Sequence, residues 1–190
     1  MGKVDKMKKI NLPLDDKVIK ELKAGDEVRL SGTIYTARDQ AHKRMVEALE
    51  AGEELPFDID GSVIYYVGPA PNKPGKVIGS AGPTTSYRMD PFVEPLLQAG
   101  LKGMIGKGAR SEPVRDAIKN YNAVYFAAVG GAAALIAEHI KEAEVIAYPE
   151  LGPEAVRKLY VEDLPLFVVN DTEGNDLYEQ GQKKFSNNTN

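Results

Sequence analysis

The sequence predicts an α/β domain with a partly parallel sheet. Short β-branched and aromatic runs alternate with helical patterns of about ten to fifteen residues, the rhythm of strand–helix units feeding one sheet. No internal repeat and no long linker divides the 190 residues, so one domain is expected over residues 1–180, followed by a polar tail over 181–190. Hydrophobic residues at 43% and charged residues at 27% give that domain an ordinary globular composition with enough apolar side chains for a sizeable core.

The elements follow in order. Residues 8–14 read as a short strand, and DDKVIKELKA, over about 15–24, as an amphipathic helix stopped at Gly25. EVRLSGTIYTA alternates as a half-buried strand does, and a helix over about 37–51 carries Met45, Val46 and Leu49 on one face. Strand 62–67 leads into the loop PAPNKPGK, and strand 76–80 into the turn SAGPTTSYRMD and a helix near 91–99. Strand 102–106 precedes GKGARS and a helix near 112–120; strand 123–129 precedes Gly130, Gly131 and an alanine-rich helix. EVIAYPEL and LPLFVVND supply the last strands, and the polar ending, SNNTN, predicts disorder.

Composition removes several function classes. A net charge of -4 lacks the basic excess of a nucleic-acid binder. No apolar run approaches the ~20 residues of a membrane span. The lysine-bearing N-terminus lacks the apolar core of a signal peptide, and a cytoplasmic location is expected. Cysteine is absent, which excludes disulfides, thiol nucleophiles and a thiolate-held metal built from this chain alone. His42 and His139 are too few for a self-contained zinc or iron site.

Three polar groups fall where strands end and helices begin, the edge at which open α/β sheets bind ligands. In TARDQAHKR, Thr36 and Asp39 have capping-box spacing, which puts Arg38 in the first helical turn. A cation there opposes the helix dipole by ~0.3–1 kcal/mol, a penalty that a bound anion reverses; a solvated surface arginine is the alternative. In GPTTSYRMD, Asp90-Pro91 has the form of an N-cap and first position, leaving Gly82 to Arg88 as an irregular turn. Turn chemistry accounts for Thr85 and Ser86 as hydroxyls that satisfy backbone groups, but it does not call for Arg88. In GKGARS, Lys107 lies between two glycines, although no P-loop pattern exists in the chain. Arginine forks and lysine ammoniums bind carboxylates, so the three cations suggest a small-anion site. His42, four residues after Arg38, is within reach of that site or else a surface histidine. Gly130 and Gly131 either offer N–H groups to an anion or allow close strand–helix packing.

SGTIYTARDQAHKR, GPTTSYRMD, GKGARS and VEDLPLFVVNDTEGNDLY together resemble the beta subunit, equivalent to the C-terminal domain, of iron–sulfur class I fumarate hydratases and L(+)-tartrate dehydratases. The resemblance covers roughly residues 10–180. It implies a swivelling β/β/α fold and a hydro-lyase reaction, the reversible hydration of fumarate to L-malate. It also implies a four-iron–four-sulfur (4Fe–4S) cluster held by three cysteines of an alpha subunit, in a heterodimer or heterotetramer. By residue match, Arg38, Arg88 and Lys107 would contact substrate carboxylates, and Thr84 would take part in proton transfer. Thr85, His42, Gly130 and Gly131 would stand behind them, and no metal ligand would come from this chain. Two other readings stay open: action on L-tartrate or another 2-hydroxy diacid, and a non-catalytic small-anion-binding or assembly subunit of the same fold.

Overall fold

The computed structural model describes residues 7–128 and 133–187. Strands β1 (Lys8–Asn11), β2 (Glu27–Thr36), β3 (Val63–Tyr65), β4 (Gly103–Gly106) and β5 (Val124–Ala128) run parallel in that spatial order. Helices α1 (Asp16–Glu21), α2 (Asp39–Glu50), α3 (Asp90–Gln98) and α4 (Glu112–Asn120) lie between them in sequence, as the expected α/β alternation requires. After the short α5 (Ala133–Glu138) the chain reverses: β6 (Ile140–Ala147) and the fifteen-residue β7 (Val156–Asn170) pair antiparallel, and α6 (Leu177–Asn187) ends the described chain. The sheet is therefore partly parallel.

The length of β7 gives it two further roles. It pairs antiparallel with β2 from Glu27↔Phe167 to Thr36↔Arg157, and with β5 from Tyr125↔Asn170 to Ala128↔Leu166. Strands β2, β3, β4, β5 and β7 thus close into a ring. Gly32 interrupts the β2–β7 register at φ +129, where a side chain would stand 2.8 Å from Leu12 Cβ. Only glycine meets both demands.

Because side chains alternate across a strand, each strand feeds two cores. Val63, Tyr65, Ile105, Val124, Phe126, Leu164, Leu166 and Val168 belong to the cluster inside the ring. Leu14, Ile19 and Leu22 join it where the parallel strands begin, and Ile78, Ala81 and Ile136 where they end. The intervening Ile64, Tyr66, Met104 and Tyr125 face outward and pack under Met45 of α2, Val93, Leu96 and Leu97 of α3, and Val114 and Ile118 of α4.

Three expectations need correction. Residues 76–80 form no strand: Ala70 N donates to Ser80 O at 2.9 Å and Asn72 Nδ2 to Val77 O at 3.1 Å, so this stretch folds back on residues 70–72. Gly79 makes the approach possible, since a Cβ there would fall 2.1 Å from Ala70 O. The first strand stops at Asn11 and the first helix covers only Asp16–Glu21, because Asp15 caps it by accepting from Val18 N at 2.8 Å. Residues 181–187 of the expected disordered tail are the last turns of α6. That helix is anchored at its start, where Asp176 Oδ1 accepts from Tyr178 N at 2.8 Å and Leu177 packs on the outer core. Among the described residues no helix is long and apolar enough to cross a membrane.

Phe126 is fully buried inside the ring. Phe126→Ala is expected to destabilise the chain by about 3–5 kcal/mol, the usual cost of deleting a buried aromatic ring. Urea unfolding should show a lower midpoint at unchanged slope; an unshifted midpoint would mean that the interior of the ring is loosely packed.

Candidate functional site

The loops that follow β2, β3 and β4 are joined edge to edge beyond the strands themselves. Ala37 N donates to Tyr65 O (3.2 Å), Tyr66 N to Ile105 O (2.9 Å) and Thr84 N to Tyr66 O (2.7 Å). Thr85 and Lys107 form a parallel bridge, Ser86 N donates to Lys107 O at 2.8 Å, and Lys107 N donates to Ser86 Oγ at 3.0 Å. Thr84, Thr85 and Lys107 are thereby brought together, and Arg38 follows one residue after the Ala37 tie. Arg38 lies over Gly68, where a Cβ would come within 3.2 Å of its Cδ and Nη1. All of this is at the carboxyl edge of the parallel strands, where the sequence suggests it.

Arg38 is the N-cap of α2 and not a first-turn residue. The expected capping box does not form, because the Thr36 hydroxyl is taken elsewhere: it donates to Ala155 O at 3.3 Å and accepts from Arg157 N at 3.0 Å. The Arg38 guanidinium faces two carboxylates, with Nε 4.0 Å from Asp39 Oδ1 and 3.9 Å from Glu154 Oε1. Both separations exceed hydrogen-bond length. Glu154 comes from the 3-10 turn Pro149–Glu154, which is distant in sequence, and nothing near Arg38 announces it.

Helical winding before α3 also begins earlier than Asp90. Ser86–Met89 is a 3-10 turn that runs directly into α3, whose N-cap is Met89 without a side-chain bond. The Asp90 carboxylate is not available as a cap, since it accepts from Arg110 Nε at 2.9 Å and from Ser111 N at 3.0 Å. Arg88 is exposed on the 3-10 turn beside Tyr87, and the Lys107 side chain is exposed as well. Among the described residues, neither cation forms an ion pair. Ser86 is fully buried, its Oγ 2.8 Å from the Tyr125 hydroxyl. It fits only because residue 106 is glycine: a Cβ there would lie 1.9 Å from that Oγ. Gly130 and Gly131 lie outside the described residues.

Sequence reasoning missed Arg110, Tyr66 and Tyr125. The Arg110 side chain is 0% exposed, yet it carries a charge. Its guanidinium lies between two rings, 5.1 Å from the Tyr66 centroid and 4.8 Å from that of Tyr125, and Nη1 donates to Tyr66 Oη at 3.2 Å. Burial pushes both phenols up from their usual value, opposed by the Arg110 charge. The only local sign of this arginine is its place just ahead of the N-cap Ser111; its partner Asp90 is twenty residues away.

His42 is neither a surface residue nor open to the site. It is completely buried, edge-on to Tyr66 at 5.3 Å, and Nδ1–H donates to Arg38 O at 2.8 Å. That tautomer leaves Nε2 buried without a partner among the described residues. Burial, with a lesser contribution from Arg110, holds its pKa down at about 4. The imidazole is neutral at physiological pH and supports Arg38 from behind.

The edge thus carries two arginines, a lysine and Thr84 above a buried layer that holds neutral His42 and the paired Arg110. These are donors for an anion. They do not fit a thiolate-held cluster, since the chain has no cysteine, and no group of three metal-ligating side chains occurs among the described residues.

Neutral His42 ties stability to pH. Between its ordinary value near 6.5 and about 4 the unfolded chain takes up a proton that the folded chain refuses, so stability falls as pH falls through that window. The loss should approach about 3 kcal/mol near pH 4, at ~1.4 kcal/mol per pKa unit. Urea unfolding from pH 7.5 to 4.5 should show a shallower decline for His42→Gln than for the wild type; parallel declines would mean that His42 is protonated in the fold.

Comparison with known proteins identifies the family. The family model described as Fumarase C-terminus matches residues 2–181. A Methanocaldococcus jannaschii protein named "Putative L(+)-tartrate dehydratase subunit beta" is 42% identical over 177 residues, covering 90% of this chain and 91% of that protein. The aerobic class I fumarate hydratase of Salmonella typhimurium is 41% identical over 177 residues, 91% of this chain and 30% of that enzyme. Fumarate hydratase 2 of Leishmania major is 44% identical over 171 residues, 87% of this chain and 30% of that enzyme. The chain therefore spans about a third of the fumarate hydratases it matches and nearly the whole of the subunit-sized relative. It belongs to the Fumarase C-terminus family.

Proposed function

We propose that this chain is the beta subunit of a two-subunit iron–sulfur hydro-lyase that reversibly hydrates fumarate to L-malate, a reaction of the tricarboxylic acid cycle, in the cytoplasm. What supports the reading is that the segments with Thr84 and Lys107 are tied to one another, with Arg88 and Arg38 close to tied residues in sequence, in a chain similar in extent to a relative named as a beta subunit. The 4Fe–4S cluster would be held by cysteines of an alpha subunit, as this chain has none.

The chain's own contribution is to bind, orient and handle a proton. Arg88 and Lys107, exposed and without ion pairs among the described residues, are suited to grip substrate carboxylates, Arg88 as a two-pronged fork and Lys107 as a point charge. Arg38 adds a third cation whose field Asp39 and Glu154 temper. The Thr84 backbone is tied to Tyr66, which fixes the backbone from which its hydroxyl projects. As a free base a threonine is poor. It can relay or orient a proton where a neighbouring base lowers the cost. The similarity to an L(+)-tartrate dehydratase beta subunit favours a second reading, in which the same groups bind L-tartrate.

The isolated chain is expected to be colourless and inactive. Co-expressed anaerobically with a cysteine-bearing alpha subunit, it should enter a brown, oxygen-sensitive complex across an interface of at least ~1,200–2,000 Å². A substrate panel on that complex separates fumarate from tartrate; binding of dicarboxylates without turnover would favour a non-catalytic subunit. Separation of the two chains at micromolar concentration would sink the shared site.

Within the complex, Arg88→Ala should lower kcat/KM roughly 10–150-fold, the equivalent of losing a charged hydrogen bond of ~1.5–3 kcal/mol. Arg88→Lys should recover part of this. Thr84→Val should reduce kcat far more than it weakens succinate binding, and near wild-type turnover in that variant would reduce Thr84 to a turn residue.

A further inference from the structure

We infer that Arg110 is a positioning residue that sets the loop carrying Lys107 against the turn carrying Thr84 and Arg88. The inference rests on the functional reading above for the roles of those three residues, and on geometry for the rest.

Each contact of the Arg110 network crosses between segments. Arg110 and Ser111, just past the end of β4, share the two oxygens of Asp90, two residues after Arg88. Arg110 Nη1 donates to the hydroxyl of Tyr66, whose carbonyl oxygen accepts from Thr84 N. Tyr125 lies under the same guanidinium; its hydroxyl donates to Gly108 O at 2.7 Å and meets Ser86 Oγ, which in turn accepts from Lys107 N. One buried side chain is therefore linked, directly or through one tyrosine, to the backbone at Thr84 and Gly108 and to the side chains of Ser86 and Asp90, which flank Arg88.

A purely stabilising element would not need this chemistry. Buried ion pairs often add little over a well-packed apolar replacement, but a planar fork imposes direction on whatever it bonds. Lysine cannot reproduce it. One ammonium does not both reach Asp90 and Tyr66 and lie flat between two rings.

The test compares wild type, Arg110→Lys and Tyr125→Phe, in the full chain and in the complex with the alpha subunit. Tyr125→Phe keeps the ring and removes only the hydroxyl, so it serves if Arg110→Lys does not fold. Hydrogen exchange should quicken at the amides of Thr84, Ser86 and Lys107 while β5 and β7 stay protected. Per assembled complex, kcat/KM should fall on the order of 10–100-fold, as small misplacements of catalytic groups do. Succinate binding should weaken in parallel. The Arg110→Lys effect should shrink in a Lys107→Ala background, because it acts partly through that residue. Unchanged exchange at the three amides, or succinate affinity and kcat/KM equal to wild type, overturns the inference alone. A wild-type complex that binds no dicarboxylate overturns the functional reading and this inference with it.

Discussion

Everything in this fold depends on the double pairing of β7. Without β7, one whole edge of β2 and one edge of β5 would be left open. By reaching both β2 and β5, β7 joins the ring that separates an apolar interior from an outer face. The interior then needs helices only at its two ends, where Ile19 of α1 and Ile136 of α5 join it, and α2, α3 and α4 are all available for the outer face. That outer layer is where Tyr66 and Tyr125 point, and the candidate site is built above them.

The second constraint is charge. A guanidinium with no exposure survives in an apolar layer only when its partners are fixed, and truncating one member of such a pair typically costs ~3–5 kcal/mol. Asp90, Tyr66 and the two aromatic faces meet that need at the junction of β4 with α4. Asp90 cannot then cap α3, which explains why winding begins at Ser86 and why Arg88 rides on a 3-10 turn. The position of an exposed cation is set by the demands of a buried one.

The legible parts of the sequence are those governed by local rules. Alternation in EVRLSGTIYT and the helix pattern before Gly52 locate β2 and α2 to within a residue or two. Arg38 and Lys107 can be read at strand-to-helix boundaries after β2 and β4, whereas the turn with Thr84 and Arg88 is expected after a strand at 76–80 that does not form. Where side chains chose between local and distant partners, the sequence misled. Thr36 and Asp90 both look like caps, and both bond instead to groups far along the chain, Ala155 with Arg157 and Arg110 with Ser111. Val77 and Ile78 look like a strand, but backbone groups of residues 70 and 80 already satisfy one another. Burial of His42 likewise depends on Tyr66 and Phe92, from other elements.

The three cations on the site edge are not equivalent, and the difference bears on why such a site would be divided between two chains. Arg38 already has two carboxylates within about 4 Å, so its attraction for an incoming anion is partly cancelled. Arg88 and Lys107 are uncompensated among the described residues, but they face water. There a carboxylate at about 4 Å is worth only ~1 kcal/mol, against about 4 kcal/mol at the effective dielectric of a protein surface cleft. The donors are therefore correctly chosen and poorly insulated. A second surface laid over the edge would exclude water and raise the value of both charges without adding a contact of its own. On the proposed reading, the alpha subunit supplies this cover along with its cluster. The beta chain supplies rigid placement: Lys107 and the Thr84–Arg88 turn are cross-tied by backbone and by Ser86 before any partner arrives. Preorganisation on one side and desolvation from the other are then separate contributions, and neither chain alone has both.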